Sequence, residues 1–166
     1  MINANGAWLL YLGRRYDEAI EQLLKVNELD PNFVLTHLWL GQAYEQKRMY
    51  EEAIAEFRRA IALSGRSPIA IAALAHAYAV VSRQVEMEEL LEELKAESKR
   101  RYVSSYLFAE IYAGLGEKTV AFEWLEKALE ERYPYMLLLK VWPKFDPLRA
   151  DPRFADLLRR MGLAPD

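Results

Sequence analysis

A chain of 166 residues that is 52% hydrophobic and 28% charged has the length and composition of one globular domain with a real core. Its formal net charge of -3, with both signs mixed along the chain, gives no basic face for nucleic acid or an anionic membrane. The absence of cysteine excludes disulfides, thiol nucleophiles and thiolate metal sites, and is compatible with the cytoplasmic location that we expect.

Eight helices are predicted in chain order, in four pairs joined by short loops: 4–12 and 16–29, 33–46 and 50–63, 68–81 and 84–98, and 103–115 and 118–131. Glycines fall where helices should stop, and prolines near the boundaries between pairs: Gly13, Gly65 and Gly116, and Pro31, Pro68 and Pro134. The short loops predict antiparallel neighbours. The longest nearly apolar run, residues 69–81, is too short to span a bilayer and indicates a buried helix. No signal peptide is expected, because no basic stretch precedes the first apolar segment.

Residues of the same kind recur every 34 positions, which is the signature of a repeat protein. In the first helix of each pair the rows are Leu40, Leu74 and Phe108; Gly41, Ala75 and Ala109; and Tyr44, Tyr78 and Tyr112. In the second helix they are Ala19, Ala53, Met87 and Ala121; Leu23, Phe57, Leu91 and Leu125; and Val26, Ala60, Leu94 and Ala128. Since small residues let two helices approach closely, these rows predict the faces on which the helices of a pair meet.

The second pair resembles the tetratricopeptide repeat, whose pattern is W-x2-L-G-x2-Y followed by A-x3-F. The matching residues are His37 (in place of Trp), Leu40, Gly41, Tyr44, Ala53 and Phe57. This resemblance implies an all-α, right-handed superhelix of about four antiparallel helix hairpins with a concave and a convex face. The implied units are residues 1–32, of which the first helix is truncated, 33–66, 67–100 and 101–132. The third unit departs most from the pattern, because Met87 replaces the small residue and Gln84 an aromatic one.

Residues 133–166 lie outside the repeat and are expected to hold a short helical segment and a capping helix. Asp151 and Pro152 form a helix start, and an apolar stripe follows: Phe154, Leu157, Leu158 and Met161. Through residues 145–149 and 151–154, the chain from Tyr102 to Gly162 resembles the C-terminal tetratricopeptide regions of bacterial multidomain regulators, which suggests a fragment of a longer protein. The N-terminal edge has no such cap, so self-association through that edge is the alternative to partner binding.

The sequence has no phosphate-binding glycine loop, no nucleophile elbow and no zinc-protease motif, so neither an enzyme nor a cofactor or metal site is expected. Only two histidines exist. His37 stands in a core row and is expected to pack between helices. His76 and Glu110 belong to one row and are expected to lie side by side, as a solvated polar pair, a ligand anchor or a two-ligand metal site.

The candidate binding site is the concave face, where the family resemblance places twelve residues: Trp8, Tyr11, Leu35, Leu38, Trp39, Gln42, Glu45, Ile69, His76, Val103, Tyr106 and Glu110. Most are apolar or aromatic, as is typical of a partner site. We expect a peptide or partner helix to bind there, with Trp39 and Tyr106 as anchors. The alternatives are that the tail or an upstream domain covers this face. Related domains that grip acidic chaperone tails use basic residues here, so such a tail is not the expected partner.

Overall fold

Residues 4–164, the part of the chain that the computed structural model describes, form nine α-helices and two short 3₁₀ helices, with no β-strand. The α-helices are α1 Ala4–Leu12, α2 Tyr16–Leu29, α3 Val34–Gln46, α4 Tyr50–Leu63, α5 Pro68–Val80, α6 Gln84–Ser98, α7 Ser105–Gly114, α8 Lys118–Glu130 and α9 Pro152–Arg160. The 3₁₀ helices are Pro134–Leu138 and Pro143–Leu148. Each of the eight helices with predicted bounds, α1 to α8, begins and ends within two residues of those bounds, and the all-α prediction is confirmed.

The first eight helices pack as four hairpins, α1 with α2, α3 with α4, α5 with α6 and α7 with α8. Consecutive hairpins contact each other through α2 and α3, α4 and α5, and α5 and α7. Helix α5 lies in the middle of this stack, and all its residues from Ala70 to Ala79 are buried. Its serine N-cap, Ser67, accepts a hydrogen bond from the Ala70 amide at 3.3 Å, and Pro68 occupies the first turn, so the helix start follows from the local sequence.

Each hairpin turn contains one residue in the left-handed region of φ, and these four residues are 34 positions apart: Arg14, Arg48, Ser82 and Gly116. The sequence prediction marked glycines as the helix stops, but only Gly116 occupies the left-handed position of a hairpin turn. The other three turns impose a φ of about 60° on residues with a side chain. The hairpin packing therefore overrides the local preference for glycine.

The capping helix α9 buries its apolar stripe through Phe154, Leu157 and Leu158. Arg160 forms two hydrogen bonds, of 2.7 and 2.8 Å, with the Glu126 carboxylate of α8, which places α9 against the last hairpin. No helix among residues 4–164 is both long enough and apolar enough to cross a membrane.

Candidate protein-interaction groove

The predicted site residues lie on α1, α3, α5 and α7 and on the loop before α7, and this surface is called the groove below. Eight of the twelve line one cavity of about 130 Å³: Trp8, Leu35, Leu38, Trp39, Gln42, Ile69, Tyr106 and Glu110. Glu45 and His76 line a second cavity of about 420 Å³. Tyr11 and Val103 are buried and line neither of these two cavities. The structure thus brings most of the predicted set together, and their role in binding stays a prediction.

The chain itself occupies a large part of the groove, through residues 133–149, which are called the tail segment below. The Trp142 indole Nε1 donates a hydrogen bond to Glu110 Oε1 at 2.7 Å, and Lys144 Nζ lies 3.4 Å from Glu110 Oε2. Phe145 is fully buried, and its ring meets the Tyr106 ring edge-on at 5.2 Å between centroids. Tyr106 is only 2% exposed, so it offers a partner almost no surface while the tail segment is in place.

Beyond these contacts the tail segment reaches the first hairpin. Arg14, in the α1–α2 turn, forms two hydrogen bonds with the Asp146 carboxylate, of 2.5 and 2.8 Å. Burial would raise the pKa of Asp146, but the hydrogen bonds from Arg14 and Arg149 hold it below its usual value. The carboxylate is therefore charged at neutral pH, and the contact joins residues 132 positions apart.

Below the tail segment lies a buried pair of ionisable groups. His76 Nδ1 donates to Glu45 Oε1 at 2.8 Å, and both side chains are almost completely buried. Burial would raise the pKa of Glu45, but the nearby His76 and Lys144 lower it below its usual value. The prediction that His76 and Glu110 form a solvated polar pair is wrong. His76 is paired with Glu45, and the Glu110 carboxylate contacts Trp142 and Lys144 of the tail segment.

Four groove side chains contain a buried polar atom without a hydrogen-bond partner in the described part of the chain: Tyr11 Oη, Gln42 Oε1, Glu45 Oε2 and Tyr106 Oη. Burial strongly raises the pKa of both tyrosines, and the buried carboxylates nearby raise it further. Both phenols are consequently neutral and retain an O–H to donate. No described residue of the tail segment forms a hydrogen bond with these four atoms.

The cavity of about 130 Å³ is the part of the groove that the tail segment leaves open. The rings of Trp8 and Trp39 stack on one side, 6.4 Å apart, and the tail residues Tyr135 and Trp142 line the other side. Leu35 and Ile69 remain 40% and 46% exposed, which is unusual for large aliphatic side chains next to a cavity. This space is close in size to an apolar cavity that takes one aromatic ring.

The sequence left open that the tail covers the groove, but it did not indicate which tail residues lie there. Tyr133, Tyr135, Trp142, Lys144 and Phe145 were assigned to a segment near the cap, not to the groove. Their one signal was the density of aromatic residues between the last repeat and the capping helix. Among the described residues no group of three or more His, Asp or Glu side chains is placed to hold a metal ion.

Comparison with known proteins agrees with this architecture. Models described as TPR repeat and tetratricopeptide repeat match residues 9–47, 34–67 and 103–133. The formate-dependent nitrite reductase complex bifunctional subunit NrfFG of Haemophilus influenzae is 34% identical over 98 residues, which are 57% of this chain. The chain matches only 26% of that relative's length.

A solved structure, the crystal structure of MamA protein, has a similar fold. Its TM-score is 0.52 at 19% sequence identity, and the similarity covers 94% of this chain and 90% of that one. At 19% sequence identity, this similarity is evidence for a common fold only. The repeat matches, together with the four hairpins and their rows of 34 residues, show that the chain belongs to the tetratricopeptide repeat family.

Proposed function

We propose that this protein is a non-catalytic scaffold that binds a peptide or partner helix in its groove. Tetratricopeptide repeats generally mediate protein–protein interaction. The observation that carries the proposal is the open cavity, whose walls combine stacked tryptophans with the exposed Leu35 and Ile69. A partner side chain that enters it would bury apolar surface from both molecules, which is the main source of binding free energy.

Trp39 and Tyr106 were expected from the sequence to anchor a partner, but the position of the open cavity changes this choice. Trp39 remains partly accessible and keeps that role in the proposal. Tyr106 is covered by the tail segment, so it would contribute only after the tail segment has moved. Leu35 and Ile69 replace it as the groove residues that a partner meets first.

The test uses peptides selected from a random library on the wild-type chain. The double substitution Leu35→Glu and Ile69→Glu places two charges at the mouth of the cavity, and we expect it to weaken binding of the selected peptides at least tenfold. Val85→Glu is the matched control, because Val85 is 67% exposed on α6 and lines neither groove cavity. Equal binding by wild type and a folded double variant, measured by fluorescence anisotropy, would refute the proposal.

A second candidate function is self-association within a larger regulatory protein. Three exposed leucines on the first hairpin favour it: Leu9, Leu24 and Leu29. Light scattering at several protein concentrations separates the two functions. A mass that doubles with concentration, and that Leu29→Glu returns to one chain, supports self-association, whereas a constant mass of one chain rejects it.

A further inference from the structure

The contacts between the groove and the tail segment indicate what kind of partner the groove recognises. We propose that the part of the groove beneath the tail segment binds a partner segment with a hydrogen-bond-donating aromatic side chain followed, two residues later, by lysine or arginine. The tail segment, with Trp142 and Lys144 at that spacing, occupies this surface until such a partner displaces it. This inference rests on the proposed scaffold function and adds the chemistry of the ligand.

The charges of the groove explain the need for a basic residue. Glu45 and Glu110 are both almost completely buried on its floor. His76 is the counterpart of Glu45, whereas Glu110 has only tail residues, Trp142 and Lys144, as partners. A buried carboxylate without a nearby positive charge is strongly disfavoured, so a segment that replaces the tail must itself bring a cation to Glu110. Acidic and purely apolar segments fail this requirement.

The surroundings of Trp142 explain the need for an aromatic donor. Its ring packs edge-on against Tyr11 at 5.7 Å and against Tyr135 at 6.4 Å, while its N–H reaches Glu110. Tryptophan and tyrosine are the side chains that combine a large apolar body with a hydrogen-bond donor at one end. Phenylalanine or leucine would fill the space but would leave one oxygen of Glu110 without its donor.

The tail segment is nevertheless an incomplete ligand, which is why another segment can displace it. It leaves the Tyr11 and Tyr106 hydroxyls, Gln42 Oε1 and Glu45 Oε2 buried without partners. Most buried polar groups in folded proteins are satisfied, and an unsatisfied group reduces stability. The segment itself is made of two short 3₁₀ helices, a form with poorer hydrogen-bond geometry than the α-helix. A partner backbone that bonds to these groups would bind better than the tail does.

The experiment loosens the tail in the full chain and offers its sequence as a free peptide. Trp142→Ala empties the indole site, and the probe is a fluorescein-labelled peptide of residues 138–149, LLKVWPKFDPLR. We expect its fluorescence anisotropy to report at least tenfold tighter binding to the Trp142→Ala chain than to wild type. Replacing the peptide's tryptophan by alanine, or the lysine that corresponds to Lys144 by glutamate, should weaken binding at least tenfold. Adding Glu110→Gln to the receptor should remove the preference for lysine over glutamate.

Three results overturn the proposal: no binding to a folded Trp142→Ala chain, equal binding of the three peptides, or an unchanged lysine preference after Glu110→Gln. If circular dichroism shows that Trp142→Ala is unfolded, hydrogen exchange of the wild-type chain with excess peptide decides instead. Faster exchange of amides in residues 139–148 supports displacement, and unchanged exchange refutes it. The outcome of the Leu35→Glu and Ile69→Glu test can be distinguished from this one. Those substitutions change the mouth of the open cavity and leave Trp142, Lys144 and Glu110 unaltered, although Trp142 and Glu110 also line that cavity.

Discussion

Gly41 lies directly against a buried aromatic ring, so there is no space for a side chain at this position. A Cβ atom built on Gly41 would lie 2.5 Å from Cε1 and 2.6 Å from Cδ1 of Phe57, distances that real Cβ contacts do not show. Phe57, on α4, is fully buried in the hydrophobic core, so its ring cannot move aside into solvent. In the other units alanine occupies the same row, as Ala75 and Ala109, so the glycine reflects the size of the ring that faces it.

Gly41→Ala should therefore destabilise the fold although alanine has the higher helix propensity. Forcing one methyl group into this contact is expected to cost about 1–3 kcal/mol, which outweighs a propensity gain of about 1 kcal/mol. Urea unfolding followed by circular dichroism measures the change. The control is a double-mutant cycle with Phe57→Leu, in which the smaller side chain should recover part of the loss. Additive effects of the two substitutions, or a more stable Gly41→Ala chain, would show that the ring is not the obstacle.

At the scale of elements, α9 is the clearest case of a helix that depends on its neighbours. It has only nine residues, too few to be stable alone in water, so its burial against the last hairpin must supply its stability. Leu157 and Leu158 are almost fully buried, and the Asp151 side chain caps the helix by accepting a bond from the Arg153 amide at 3.0 Å. The same contacts with Arg153 lower the pKa of Asp151 to about 2, so the cap stays charged over most of the pH range.

Leu158→Asp should detach this helix. The substitution removes a buried leucine and places a carboxylate in the same apolar site, which we expect to cost at least about 3 kcal/mol. Thermal unfolding monitored by circular dichroism reports the loss as a lower Tm. Arg159→Ala is the control, because Arg159 is exposed and should change stability by less than about 0.5 kcal/mol. An unchanged Tm in the Leu158→Asp chain would mean that α9 is not docked.

The elements also show which parts of the structure could be predicted from the sequence and which could not. The rows through Leu40, Gly41 and Tyr44 predicted the eight repeat helices, because helical periodicity and hairpin packing depend on residues close in the chain. The tail segment has no such periodicity, since 3₁₀ helices are too short to display one. Its contacts, such as that between Arg14 and Asp146, join residues at opposite ends of the sequence. For this reason the sequence predicted the groove residues and allowed the tail as one possible cover, but it did not predict which tail residues lie there or what they contact.

At the scale of the whole molecule, the tail segment connects the last hairpin to the first across the groove. It follows α8 and packs against α7, where Phe145 contacts Tyr106. Near its C-terminal end, Asp146 binds Arg14 of the α1–α2 turn. Most contacts in a repeat protein join neighbouring units only. This connection is different, because it joins the first and last hairpins of the stack directly.

The charge distribution of the molecule also predicts which ligands the groove rejects. The buried carboxylates on its floor, Glu45 and Glu110, are the charges closest to any segment that replaces the tail, and the chain as a whole has a formal net charge of -3. The positions from which related domains bind an acidic chaperone tail hold no positively charged residue in this chain: Ala4, Trp8, Trp39, Ile69 and Ala73. An acidic ligand would thus lose its hydration without gaining a cation.

We accordingly expect no useful binding of an acidic chaperone-tail peptide, either to the wild-type chain or to the Trp142→Ala chain with its loosened tail segment. Isothermal titration calorimetry at peptide concentrations up to about 1 mM should give no saturable heat, which corresponds to a binding free energy weaker than about -4 kcal/mol. Physiological ionic strength makes the test stricter, because repulsion between exposed charges is then largely screened and cannot by itself account for an absence of binding. The positive control is the peptide of residues 138–149 with the Trp142→Ala chain. A micromolar Kd for the acidic peptide would contradict the prediction and would mean that basic residues outside the groove form the binding site.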